Sequence, residues 1–347
     1  MTRITPMPPT PAGPTQRWSP LKVAVQVAGF AVGLALFGWC VALALRPQNR
    51  ESLERLMQAP VWVFASLLVC AILSLLLNGS LFWVLMRPVR CISWVGVFAV
   101  NAVATSLNYL PFKLSVVSRF VIHNRRDGLP LTLILAWLGA AGVVILGAIF
   151  PPIVATIWRA RLDIPWVAVT GVGLAAACAM VIVLARVCQR AAAKSLVGRF
   201  LALKPIKPLT PGLEMLADPK AVTAAFALRT LDIACVAARF WLAAHACGTP
   251  ITPGTALIAA CTYFLIGVVT PAGALGAREG GTTLLAGTVL QLPDVANESF
   301  AVVALVASAS EMVVNLASAA LSVAWLRFAP TRRSDPISTC TVEADRG

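Results

Sequence analysis

Residues 23–45 read VAVQVAGFAVGLALFGWCVALAL, a stretch with no charged side chain. Crossing the hydrocarbon core of a bilayer takes roughly 20 helical residues, so this stretch predicts a membrane-spanning helix. It is too long for the ~7–15-residue apolar centre of a cleaved signal peptide. Outward from it the same texture recurs. Further spans are predicted at Val61–Met86, Leu131–Phe150, Ile164–Ala185, Ala221–Ala246 and Phe300–Leu326. The composition agrees: 59% of the 347 residues are hydrophobic, only 12% are charged, and mean hydropathy is +0.84. A water-soluble fold of this length needs far more polar surface.

Two further apolar stretches are broken. Residues 91–122 carry Asn101, Asn108 and Pro111, and residues 254–291 are two short pieces joined by a Gly/Pro-rich turn. Both read as re-entrant helical hairpins that return to the side they entered. The expected fold is therefore an all-α polytopic membrane protein with six spanning helices and two re-entrant hairpins. The order span, span, hairpin, span then occurs twice, in halves of about 21–155 and 164–326, as an inverted repeat. The alternative is that two proline-broken helices match by chance. Residues 1–20, rich in Pro and Thr, and residues 329–347 are expected to be loose cytoplasmic tails flanking one membrane domain, 21–328.

Charge supports that topology. The chain carries 28 Lys+Arg against 14 Asp+Glu, a net charge of +14. In a soluble protein this balance would suggest nucleic acid; on an apolar background it points to anionic lipid headgroups. With both hairpins re-entrant and the N-terminus cytoplasmic, the cytoplasmic segments hold twenty of the basic residues and six of the acidic ones. That asymmetry is the positive-inside pattern. The segment 186–220 contributes seven of these bases and reads as a lipid-surface stretch or a plain topology determinant.

A few residues are candidates for chemistry. The stretch Thr270-Pro-Ala-Gly-Ala-Leu-Gly-Ala-Arg-Glu-Gly-Gly281 stops one helix at Pro271 and starts another. Gly273 and Gly276 permit a tight turn or close approach of a ligand. A helix starting near mid-membrane beside Arg278 offers an anion site, with Glu279 as a neighbouring counter-charge. The alternative is a fold-stabilising ion pair at a glycine turn. Arg229, Asp232 and Arg239 share one helix face, either along a headgroup path or reaching to the two membrane surfaces. Glu311 is expected to partner Arg278 or Arg239, or to accept a proton. In the first half, Lys113 and Arg119 follow the Pro111 turn, and His123 reads as a solvated loop residue. The nine cysteines read as buried apolar side chains rather than a disulfide framework or a zinc site. No nucleotide, serine-hydrolase or zinc-protease motif occurs in a supporting context. No cofactor, metal or nucleic-acid partner is expected.

These segments resemble a known family. Pro271-Ala-Gly-Ala-Leu-Gly-Ala-Arg-Glu279 is similar to the P-x-G-x-x-G-x-R-E turn of the lysylphosphatidylglycerol synthase transmembrane region, a flippase-like membrane domain of bacteria. Asn108-Tyr-Leu-Pro-Phe-Lys-Leu-Ser-Val-Val-Ser-Arg119 is similar to that family's N-x-x-P-x-R-x-G-E-x-x-R element, with Ser115 in place of the glycine and Val116 in place of the acid. The likeness covers about residues 21–328. It implies an inner-membrane protein related to lipid-translocating domains, whose relatives act on aminoacylated or polyprenyl-linked lipids. The synthase reaction itself needs a cytosolic catalytic domain, which is not expected here. The expected function is movement of an anionic phospholipid or lipid-linked precursor between leaflets. Arg278 with Gly273–Gly276 would hold the phosphate, Glu279 and Glu311 would balance charge or relay protons, and Arg239 and Arg119 would line the path. A homodimer or a lipid-modifying enzyme is the expected protein partner. The alternative function is a non-transporting membrane protein that recruits such an enzyme.

Overall fold

The computed structural model describes residues 20–110, 114–159, 161–192, 210–249, 251–270, 275–289 and 297–328. All regular structure among them is helical. Six helices are long and apolar enough to cross a membrane, and the chain is a multi-pass membrane protein. These are α1 (Pro20–Ala44), α3 (Val61–Met86), α6 (Leu131–Trp158), α7 (Ile164–Ala192), α9 (Pro219–Ala246) and α12 (Asn297–Phe328). Two short helices link the first two spans of each half: α2 (Arg50–Gln58) and α8 (Thr210–Ala217). Neither was evident in the sequence.

The broken stretches form two helix pairs, α4 (Trp94–Leu107) with α5 (Leu114–Asp127) and α10 (Pro253–Val269) with α11 (Ala277–Val289). At about 1.5 Å per residue each arm is shorter than the roughly 30 Å hydrocarbon core. The arms of each pair pack on one another across a brief connection. Local chemistry sets their starts. Ser93 Oγ accepts the Gly96 N–H at 3.2 Å to begin α4. Thr252 Oγ1 accepts the Thr255 N–H at 3.1 Å to begin α10, with Pro253 at the first helical position.

The element order therefore recurs: α1, α2, α3, α4/α5, α6, and then α7, α8, α9, α10/α11, α12. Packing recurs with it. α1 lies on α12 as α7 lies on α6, α3 on α4 as α9 on α10, and the counterparts α3 and α9 meet at the centre.

In a bilayer, helices associate through close packing rather than through water exclusion. α9 accordingly buries a stripe rich in small side chains, including Ala221, Ala225 and Ala243, while Val172, Met180 and Leu184 on α7 stand exposed toward lipid. The third span differs from expectation. Pro151 and Pro152 do not end it, and α6 continues to Trp158. Thr156 Oγ1 donates to the Pro152 carbonyl at 2.7 Å, and Pro151 nests over Gly173 of α7, where a Cβ would come within 2.9 Å. The Pro151 ring thus finds room against α7, and the helix runs on through both prolines.

Two other readings need correction. His123 is buried, not solvated: its Nδ1 lies 2.6 Å from Asp127 Oδ2 and its ring packs edge-on to Trp137. Among the described residues seven cysteines are free, but Cys91, in the exposed turn before α4 rather than inside an apolar helix, is disulfide-bonded.

The seam between α1 and α11 depends on Gly276. Its φ is +76°, and a Cβ there would lie 1.8 Å from the Gly33 carbonyl oxygen of α1. Backbone cannot yield as a flexible side chain does. Gly276→Ala is expected to cost about 2–3 kcal/mol of stability from the left-handed φ and the clash together, seen as a lowered unfolding temperature in detergent.

Candidate functional site

Polar side chains in an apolar helix are costly in hydrocarbon and need partners. Ser74, Asp232 and Glu311 each stand near the middle of a spanning helix: α3, α9 and α12. Ser74 donates to Asp232 Oδ1, and Arg229 Nη1 donates to Asp232 Oδ2 at 2.6 Å. The Arg229 guanidinium also lies 3.8 Å over the Phe264 ring. With Arg229 3% and Arg239 1% exposed, neither cation reaches a membrane surface, so the surface-seeking alternative is excluded.

Glu311 is the hub of a second group. Its Oε2 accepts from Arg239 Nη2 at 2.8 Å and its Oε1 from Arg278 Nη1 at 3.3 Å. One carboxylate thus bridges two guanidinium groups, one from α9 and one from the start of α11. Arg278 also lies 4.8 Å over the ring of Tyr263.

Glu279 does not pair with Arg278. Its Oε2 accepts the Gly276 N–H at 2.6 Å and its Oε1 accepts from the Ser308 hydroxyl. It stands at the third position of α11 and reaches back to the residue before the helix, half of a capping box. The Gly276 N–H is thus taken, and its Cα faces α1. The expectation that Gly276 approaches a ligand is corrected: it shapes the helix start. Pro111, Lys113, Pro271 and Gly273 lie outside the described residues.

The two hairpins meet at a cavity of about 110 Å³, several times the ~30 Å³ share of one liquid water. Arg119 from α5, Arg278 from α11, and Glu311 and Asp232 from the spans line it, together with Asn78 and Asn108. Arg119 Nη2 donates to Asn101 Oδ1 at 2.7 Å, and its guanidinium lies 4.2 Å over the Phe82 ring. No carboxylate pairs with Arg119 among the described residues. Arg239 sits behind the lining and holds Glu311, whereas Glu279 bonds Gly276 and Ser308, neither of which lines the cavity. Chemically, the cavity is a mid-depth chamber with two guanidinium forks, one from each half, suited to a tetrahedral oxyanion.

Ser74 and Asn78 were missed. Their signal was present: two polar residues one turn apart on one face of α3, an uncharged and largely apolar helix. Gly267 on α10 was also missed. A Cβ there would lie 2.3 Å from Arg278 Nε, so the bare backbone is the shelf on which that guanidinium lies. Gly267→Ala is expected to leave stability near wild type, since the long arginine can move. The displaced fork should slow any Arg278-dependent transport about tenfold, measured on reconstituted protein.

No curated protein matches the chain. The family model for the lysylphosphatidylglycerol synthase TM region matches residues 26–319, a stretch that takes in both hairpins and every residue lining the cavity. The chain is a member of the lysylphosphatidylglycerol synthase transmembrane-region family.

Proposed function

We propose that this protein moves an anionic phospholipid, or a lipid-linked precursor bearing phosphate, between the leaflets of a bacterial inner membrane, with both termini cytoplasmic. The observation that carries the reading is the cavity at mid-depth lined by Arg119 and Arg278, one cation from each inverted half. A headgroup crossing hydrocarbon alone must shed its water, at a cost of several kcal/mol or more. Two guanidinium groups and the surrounding asparagine amides replace that water, while the acyl tails remain in lipid. The two halves, related by inversion, supply the symmetric scaffold on which a central site is opened to each side in turn. The matched family model is that of a membrane region rather than of a catalytic domain, in keeping with a protein that binds and moves lipid without altering it. The excess of basic residues on the segments assigned to the cytoplasm supports the orientation.

The test is reconstitution of the full chain into phosphatidylcholine vesicles carrying a trace of fluorescent phosphatidylglycerol or fluorescent phosphatidylcholine. Dithionite added outside bleaches only the outer leaflet. The expected result is protein-dependent loss of the protected signal, faster for the anionic probe. Identical traces with and without protein for both probes reject the proposal.

A further inference from the structure

The ion pairs around the cavity are unequal, and the inequality suggests how the site releases what it binds. Glu311 touches Arg239 at 2.8 Å and Arg278 at 3.3 Å. The first is the length of a full charge-assisted hydrogen bond; the second is longer than that range. Arg239 is 1% exposed, lies outside the cavity lining, and donates a further bond to the Ala307 carbonyl at 3.4 Å. Arg278 and Glu311 both face the cavity. One guanidinium therefore anchors the carboxylate, and the other is only lightly held by it.

The geometry points to Glu311 as a built-in stand-in for the substrate. In the empty site its Oε1 occupies the anion position on Arg278. An entering phosphate oxyanion takes that position, and the carboxylate stays with Arg239. This inference rests on the reading of the cavity as an anion site and adds what sets its affinity. A carboxylate and a phosphate oxygen are interchangeable partners for a guanidinium fork, so the two compete. Competition keeps binding weak enough for release: a buried Arg278 without a resident anion would bind the headgroup tightly and hold it. It also spares the empty state an uncompensated buried cation, which is strongly destabilising. Glu311 is thus a positioning and affinity-setting residue.

A purely structural role predicts the opposite sign. If Glu311 served only to aim Arg278, removing its charge would weaken anion binding. The experiment titrates full-length protein in phosphatidylcholine nanodiscs with dioctanoyl phosphatidylglycerol, and separately with glycerol 3-phosphate, by calorimetry. Glu311→Gln is expected to bind at least one phosphate probe about tenfold more tightly than wild type. Equal or weaker binding by the variant, or no binding of either probe by any form, overturns the inference. Should Glu311→Gln fail to fold, Glu311→Asp is read the same way: its shorter arm keeps the charge near Arg239 but withdraws it from Arg278, so tighter binding supports competition and equal or weaker binding overturns it. The two probes separate this inference from the lipid reading. Tighter binding of glycerol 3-phosphate alone leaves the competition intact and removes the lipid as the ligand.

Discussion

Arg278→Ala is expected to abolish protein-dependent movement of anionic lipid while leaving the fold standing. The side chain lines the cavity, lies flat on Gly267 and faces Glu311 at 3.3 Å. Truncating one partner of a buried hydrogen-bonded charge pair costs about 2–5 kcal/mol, which at 1.4 kcal/mol per decade is a fall of roughly thirtyfold to several thousandfold. The fold survives because Glu311 keeps its closer bond to Arg239 at 2.8 Å, so no carboxylate is stranded. Arg278→Lys should recover only part of the rate, since an ammonium is a point charge that cannot grip an oxyanion with a planar fork. Dithionite traces on vesicles give the rate, and size-exclusion profiles with unfolding temperatures give the control. A wild-type rate in Arg278→Ala, at equal protein incorporation, would remove this residue from the site.

The largest effect on stability is expected at Asp232. It is 1% exposed near the middle of α9 and holds Arg229, itself 3% exposed, at 2.6 Å. Arg229 Nε has no acceptor, and its other flank is the face of Phe264. Asp232→Ala strands a guanidinium in the interior and should cost about 3–5 kcal/mol. Replacing both partners by apolar residues removes the stranded charge, so Arg229→Leu with Asp232→Leu should regain most of that loss. Unfolding in detergent, followed by circular dichroism for the two variants, reads the difference directly. If the double variant is no more stable than Asp232→Ala, the penalty arises from packing around Asp232 and not from an unpaired charge.

Much of the architecture was legible along the chain because hydrocarbon imposes a simple length rule. Apolar runs of about 20 residues located the six spans, two of which carry charged side chains, and Pro and Gly located the two breaks. The same rule underestimated α6, because whether a proline ends a helix depends on what receives its neighbours. Here the Gly173 notch of α7 gives the Pro151 ring its space. The short α2 and α8 went unread since they lie between spans, where apolar length gives no signal.

In the site, residue types were readable and partners were not. Arg278 and Glu279 are adjacent in the chain, which invites pairing, yet neighbours on a helix do not face one another. Glu279 turns back to the Gly276 N–H, a pattern legible as Gly-x-x-Glu at a helix start, and Arg278 turns to Glu311, 33 residues on. Apolar length and the breaker residues, both local properties, thus determined by themselves that this chain carries six helices long and apolar enough to cross a membrane and two broken elements. Which cation meets which carboxylate, and that Arg119 and Arg278 share one chamber, was decided only by the packing of the halves, because a buried charge takes the partner that space brings to it and not the one the chain supplies next door.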